Sequence, residues 1–193
     1  MAYLSFAISA LALMLSGTVA WLTLFRRGTL KITRPAFIAF RYDVDKDNQS
    51  LPKIFVRALL YSTGKRGHVV ENMYLIVRFG KERRTFNVWG HGDEKLSRGS
   101  GLFIGETGVA ANHHFNPVSD SPAFEFLPGE YEVSVFATLP GRQKPLHLHT
   151  VTLEFEEPMR VTRQNADASI WFDWQPEANR YHAHSEVRRR TIP

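Results

Sequence analysis

Histidines offer the chain's main potential for chemistry, because imidazole can both bind metals and transfer protons near neutral pH. His147 and His149 are separated by one leucine in an alternating apolar segment. On a β-strand, residues two apart project from the same face, so both imidazoles would be placed to ligate one metal ion. The chain has eight histidines in all: His68, His91, His113, His114, His147, His149, His182 and His184.

The spacing from Gly141 through His147 and His149 to Glu154 is similar to the first half of a cupin metal motif. The resemblance implies that Glu154 would be the third ligand. However, the glycine that should follow Glu154 is absent, and too little chain remains for the second half of the motif. A strand with polar histidines on its exposed face explains the pattern equally well, so a metal site is the alternative hypothesis.

A second group of polar residues lies in the glycine-rich stretch 105–115, where Glu106, Asn112, His113 and His114 stand close together. A carboxylate beside an imidazole is suited to acid–base chemistry or ligand binding. No nucleophile accompanies them, because Ser100 lacks the Gly-x-Ser-x-Gly spacing. Closely spaced glycines are typical of irregular loops. We therefore expect a structural loop here, with a polar binding pocket as the alternative.

Two further patterns do not match the motifs they suggest. In Asp43-x-Asp45-x-Asp47-Asn48, asparagine stands where a calcium loop needs glycine, and Ile54 stands where it needs glutamate. Gly64-Lys65-Arg66-Gly67 lacks the spacing of a phosphate-binding loop and predicts a hairpin turn. The absence of cysteine excludes disulfides and thiolate chemistry. These observations favour a non-enzymatic protein without a cofactor.

An uncharged apolar segment begins the chain. It extends from Ala2 to Phe25, and 22 residues of helix span about 33 Å, enough to cross the hydrocarbon core of a membrane. Thr18-Val19-Ala20 offers a small-x-small cleavage site, but a signal peptide would carry its basic residues before the apolar run. Here they follow it, which predicts an uncleaved single-pass anchor in the inner (cytoplasmic) membrane.

The residues flanking this segment predict its orientation and contacts. Basic residues stay on the cytoplasmic side, so the soluble part should be cytoplasmic, with a periplasmic location as the alternative. The predicted membrane flank comprises Trp21, Arg26, Arg27, Lys31 and Arg34. Small residues recur every three or four positions; they are Ser5, Ser9, Ala12, Ser16 and Ala20. Such a stripe suits pairing with another transmembrane helix or a second copy, and the alternative is the ordinary abundance of Ala and Ser in single-span helices.

Charge placement argues against nucleic acid as a partner. The chain has a net charge of +5, but the excess comes from the flank after the apolar segment and from the last fourteen residues. Residues 35–179 are slightly acidic. A basic patch across the domain is the usual signature of nucleic-acid binding, and the sequence does not offer one.

Short alternating strands separated by turns predict an all-β fold, an antiparallel Ig-like β-sandwich over residues 28–157 after the anchor at 1–27. The segment Leu127–Val135, with Pro128-Gly129 before Tyr131, resembles the tyrosine corner of immunoglobulin-like and fibronectin-type domains. An anchor ending in Phe25-Arg26-Arg27-Gly28 before such a domain is similar to small uncharacterised bacterial membrane-anchored proteins.

The last segment, 158–193, has a different composition. Trp171, Phe172 and Trp174 form an aromatic cluster that should dock on the sandwich as an extra strand or plug, since exposed aromatic clusters are costly in water. Residues 181–193 are predicted to be disordered. Together, the anchor and the β-domain predict a membrane-tethered interaction module that binds another protein. The alternative is a metal- or small-ligand-binding domain that uses His113, His114, His147 and His149.

Overall fold

The computed structural model describes residues 2–26, 28–44, 50–93, 96–98, 101–118, 124–163 and 167–187. Helix α1 (Ala2–Ala20) continues into a single π-helical turn, Trp21–Phe25. None of its residues is buried against the rest of the chain. The helix is long and apolar enough to cross a membrane, a criterion that a signal sequence also meets.

The described residues after the helix form thirteen strands and one short 3-10 helix, Glu157–Met159. The strands are β1 (Leu30–Ile32), β2 (Phe37–Val44), β3 (Ser50–Ser62), β4 (His68–Val70), β5 (Asn72–Phe79), β6 (Glu82–His91), β7 (Ser97–Arg98), β8 (Leu102–Ile104), β9 (Val109–Pro117), β10 (Gly129–Thr138), β11 (Leu146–Phe155), β12 (Ala168–Gln175) and β13 (Arg180–Val187).

Most of these strands belong to one continuous sheet in the order β11-β10-β5-β6-β9-β3-β2-β12-β13, and every neighbouring pair is antiparallel. Strand β1 pairs with β3, β7 pairs with β6, and β4 and β8 form a separate two-stranded sheet. The long sheet folds over so that its two halves enclose one core. The all-β antiparallel fold with one N-terminal helix is therefore confirmed.

Period-two alternation determines which side chains reach the core. Along β3, Ile54, Val56, Ala58 and Leu60 are buried, as their spacing predicts. Opposite them, the Phe40 ring lies 5.3 Å from that of Tyr131 and 5.0 Å from that of Phe172. Aromatic contacts from β2, β10 and β12 thus join the two halves of the folded sheet.

The turn before β10 has the local contact that the sequence predicts. The Tyr131 hydroxyl donates a hydrogen bond of 2.6 Å to the Leu127 carbonyl, four residues upstream. This is the hydrogen bond of a tyrosine corner, which ties the incoming chain to the start of a strand. Gly129 adopts a φ of 132° there, in the region that favours glycine.

Phe124 and Phe126 lie in the core without belonging to a strand; their rings pack against Phe86 and Phe40, and the Phe126 amide donates a hydrogen bond of 3.2 Å to the Tyr42 hydroxyl. One prediction about secondary structure is wrong. Within the tail that was expected to be disordered, Arg180–Val187 forms β13. The turn at Pro176–Asn179, in which Asn179 has a φ of 50°, returns the chain from β12 and allows the hairpin to form.

The aromatic cluster of the tail does dock as an extra strand. In β12, Ile170 and Phe172 are buried, and the strand pairs with β2 on one side and β13 on the other. Residues 168–187 therefore extend the same sheet as the predicted sandwich rather than forming a separate tail.

We predict that Tyr131→Phe lowers the free energy of unfolding by about 1 kcal/mol, because the Leu127 carbonyl loses its hydrogen bond while the ring stays packed. Denaturant titration of the full chain in detergent measures the change. Tyr74→Phe is the matched control, since no hydrogen bond to its hydroxyl is found among the described residues. Equal effects of the two substitutions would contradict the proposed role of the hydrogen bond.

Candidate functional site

The structure separates the two histidines that the sequence places on one face. His149 is opposite Val135 on β10, whereas His147 is opposite Phe136, because Leu148 is an extra residue in a β-bulge. Val135 and Phe136 are neighbours on β10, so their side chains face opposite sides of the sheet. The side chains of their partners, His149 and His147, therefore also face opposite sides. His147 therefore lies on the outer side, where its Nε2 is 2.8 Å from the Thr150 hydroxyl.

Glu154 is also remote from the histidines. It lies five residues beyond His149, about 17 Å along the strand at about 3.4 Å per residue, and on the other face. Among the described residues, no three His, Asp or Glu side chains are grouped so that they could hold a metal ion. The structure thus does not bring His147, His149 and Glu154 together.

The predicted polar pocket is also divided, because its residues lie on a regular strand and not in a loop. Only Gly105–Gly108 forms a turn, in which Glu106 is exposed, and β9 begins at Val109. Asn112 faces outward and accepts a hydrogen bond of 3.1 Å from Arg57. Pairing with β3 on one side and β6 on the other makes β9 a central strand despite its weakly β-forming Ala-Ala-Asn-His-His sequence.

His113 and His114 point to opposite sides of this strand. His113 is opposite Val56 on the core side and only 1% exposed, and its Nε2 has no hydrogen-bond partner among the described residues. Burial, with His91 nearby, lowers its pKa to about 4. The ring centroids of His91 and His113 are 6.5 Å apart beside a small cavity beneath Leu102. His113 is therefore neutral at physiological pH.

On the outer side, His114 belongs to a cluster that sequence reasoning missed. Lys53 is only 5% exposed; its Nζ lies 2.7 Å from Asp43 and 4.3 Å from the ring centroid of Trp89. Burial and the Lys53 charge lower the pKa of His114 to about 4. No pattern in the sequence indicates this cluster, because a lysine in an alternating strand is ordinarily solvent-exposed.

A different feature dominates the surface, namely the gap between the two end strands of the sheet, which we call the seam. Strands β11 and β13 approach within 8 Å between Cα atoms, yet no backbone pairing joins them in the described part of the chain. A groove of about 710 Å³ lies along the seam. It is lined by residues of both strands and by Arg34 from the connection between β1 and β2.

Aromatic and cationic side chains form one end of this groove. The Arg34 guanidinium lies 3.8 Å from the centroid of the Trp174 ring, which in turn contacts Tyr181 at 5.2 Å. The Tyr181 hydroxyl donates to the Pro35 carbonyl at 2.8 Å. Burial raises the pKa of Tyr181, and burial together with Arg34 lowers the pKa of His149. The groove therefore contains a cation, a neutral imidazole and aromatic rings, and Glu154 and Glu156 of the β11 side also line it.

The residues predicted for the membrane flank are divided between the helix end and the domain, where Arg34 lines the seam groove. Trp21 and Arg26 are exposed at the end of the helix, and Lys31 is exposed on β1. In the predicted stripe of small residues, the Ser9 hydroxyl donates to the Ser5 carbonyl at 2.9 Å, so it is satisfied within the helix. Some predicted residues lie outside the described ranges: Arg27, Asp45, Asp47, Asn48 and Ser100.

Comparison of the chain with protein-family models, with curated proteins and with solved structures finds no match in any of the three. The chain's own geometry is therefore the basis for the function proposed below.

We predict that acid destabilises the domain through His113. Its pKa of about 4 in the folded state lies below the ordinary value of 6.5, so only the unfolded state gains a proton as pH falls between these values. Between pH 7.5 and pH 5, His113 alone should cost about 2 kcal/mol of stability. His113→Leu should reduce the loss of unfolding free energy over this range by that amount, measured by denaturant titration.

His182→Leu, on the exposed strand β13, is the control and should leave the pH dependence of the wild type unchanged. If the loss in His113→Leu equals that of the wild type, His113 is not the group responsible.

Proposed function

We propose that this protein is a single-pass, membrane-tethered interaction module whose β-domain binds an extended segment of another protein in the seam. The domain would lie on the cytoplasmic side, as the basic residues after the helix indicate. The observation that carries the proposal is the presence of two unpaired strand edges facing each other across one groove. Unpaired strand edges are templates for strand addition.

The number of strands in the sheet explains why β11 and β13 do not pair with each other. The path contains nine strands and every neighbouring pair is antiparallel, so the two end strands must run in the same direction. Direct bonding between β11 and β13 would create a parallel pair, which is slightly less stable per residue. One additional strand between them would pair antiparallel with both and close the sheet on itself.

The dimensions of the seam require a small opening. A strand inserted between two others needs them about 9.6 Å apart, since neighbouring strands are about 4.8 Å apart. The Cα atoms of β11 and β13 come within 8 Å, so the edges would separate by about 2 Å or more at their closest point. Among the described residues the backbone of β13 pairs only with β12, so β13 would move outward as the arm of a hairpin once the Tyr181 hydroxyl releases the Pro35 carbonyl.

Arg34 would favour a bound segment that carries an acidic side chain. Its guanidinium stacks on Trp174 at one end of the groove, and no carboxylate of the described residues forms an ion pair with it. An acidic side chain on the bound segment would therefore find a partner there. Backbone pairing would supply affinity along the segment, and this contact would help to set its register.

We predict that the anchor is retained and that the domain is cytoplasmic. The chain has no cysteine, so Lys65→Cys introduces a single reactive thiol. A membrane-impermeant thiol reagent should label it only after cells are permeabilised, whereas Tyr3→Cys should be labelled in intact cells. Labelling of Lys65→Cys in intact cells would place the domain on the outer side. Loss of residues 1–20 from the mature chain would show a cleaved signal peptide.

We also predict that the seam is the site of protein binding. A photo-crosslinking amino acid at Thr152, which lines the groove, should capture one segment of a partner in cells. The same group at Asn87, exposed on β6, should not. A synthetic peptide of the captured segment should then protect backbone amides of both β11 and β13 from hydrogen exchange. Arg34→Gln should weaken peptide binding about two- to fivefold, the range for an exposed ion pair.

Arg142→Gln, in the exposed connection between β10 and β11, is the matched control and should leave peptide binding unchanged. Equal crosslinking from Thr152 and Asn87, or peptide binding without amide protection on either strand, would exclude strand addition in the seam.

A further inference from the structure

The chain holds one end of the domain close to the end of its helix. The helix ends at Phe25 and β1 begins at Leu30, so the connection spans at most about 18 Å even when fully extended. Thr29 fixes this connection to the turn after β3. Its carbonyl accepts a hydrogen bond of 3.0 Å from the Thr63 amide, and its own amide donates to the Thr63 hydroxyl at 2.8 Å.

Close backbone packing tightens the same junction. Gly28 has a φ of 64°, and a Cβ atom at this position would lie only 2.4 Å from the Gly64 nitrogen. Only glycine, which has no Cβ atom, allows the two backbones to come this close. The turn at 62–67 is therefore held against the connection that leaves the helix, and whatever this turn carries is presented toward the helix end.

Two apolar side chains project from the small sheet that follows this turn. Val69 on β4 is paired with Phe103 on β8, and they are 44% and 59% exposed. Their neighbours Val70 and Ile104 are buried, so the sheet has one face in the core and one apolar face in solvent. A Cβ atom on Gly67 would lie 2.7 Å from the Phe103 ring, which places that ring directly beside the turn.

Basic side chains lie at the same end of the domain as this apolar pair. Lys65 and Arg66 are exposed in the turn itself, and Arg26 and Lys31 are exposed on the connection and on β1. Two exposed acidic residues also lie near the pair in sequence: Glu71 follows Val69 by two residues, and Glu106 follows Phe103 by three. The four basic residues outnumber them, and apolar side chains beside an excess of lysine and arginine are the composition of surfaces that bind the interface of anionic bilayers.

We infer that this end of the domain is a membrane-docking face that binds the anionic leaflet in which the helix is anchored. Phe103 and Val69 enter the interfacial region, while Lys65 and Arg66 contact lipid phosphates. The inference rests on the proposed anchoring, because only a helix that stays in the membrane brings this face to the bilayer. Docking holds the domain in one orientation on the surface, whereas the connection alone would leave it free to tilt.

The test uses the full chain in vesicles, with an environment-sensitive fluorophore on a single introduced cysteine. Thr107→Cys places the label in the exposed turn beside Phe103 without removing any docking residue, and Lys81→Cys places it in the β5–β6 turn at the opposite end. In vesicles with 30% phosphatidylglycerol in phosphatidylcholine, nitroxide lipids should quench the label at position 107 at least twofold more than in phosphatidylcholine alone. The label at position 81 should show no such difference.

Variants then separate docking from anchoring. Lys65→Glu with Arg66→Glu, and separately Phe103→Ser, should reduce quenching at position 107 to the level in phosphatidylcholine, while the chain still floats with the vesicles. Leu127→Ser removes an exposed apolar side chain from the other end and should change nothing. If the chain floats with the vesicles but the label at position 107 is not quenched, the docking inference is wrong and the anchoring still stands. Failure to float after carbonate washing overturns the anchoring, and the docking with it.

Discussion

Aromatic packing across the seam holds the folded sheet closed where hydrogen bonds do not. Phe155 on β11 and Phe172 on β12 approach to 6.3 Å between ring centroids, and Phe172 also contacts Phe40. Strand β13 lies outside this contact, although its Tyr181 and Ala183 also pack against the core. Opening of the groove as proposed would therefore leave the contact between Phe155 and Phe172 in place and expose only the side chains that β13 itself contributes.

Two of the histidines that suggest chemistry in the sequence lie buried in the structure. His113 and His114 occupy a central strand, and burial keeps both imidazoles neutral at physiological pH. A neutral imidazole is a competent metal ligand, but these two face opposite sides of the sheet and no third ligand joins either of them among the described residues. Their low pKa values are the basis of the acid sensitivity that we predict for the domain.

The strands could be predicted from sequence where alternation was regular, as along β3, β5 and β10. Where the structure differs from the prediction, the cause is a local feature that the alternation of apolar and polar residues does not indicate. A single extra residue, Leu148, reverses the side on which His147 projects. Strand β9 forms from weak β-formers because it is paired on both sides, and Phe126 is buried without joining a strand. The seam was not predictable, because it depends on the order in which distant strands pair.

Strand direction gives the seam a polarity relative to the N-terminal helix and, through the proposed anchoring, relative to the membrane. Both β11 and β13 begin at the end of the domain nearest the helix and run away from it, as their registers with β10 and β12 require. A segment that pairs antiparallel with both would run the opposite way, with its carboxyl end closest to the bilayer. A partner whose chain enters the membrane directly after the bound segment would fit without reversing direction, whereas one that has just emerged from the membrane would need a loop to turn back.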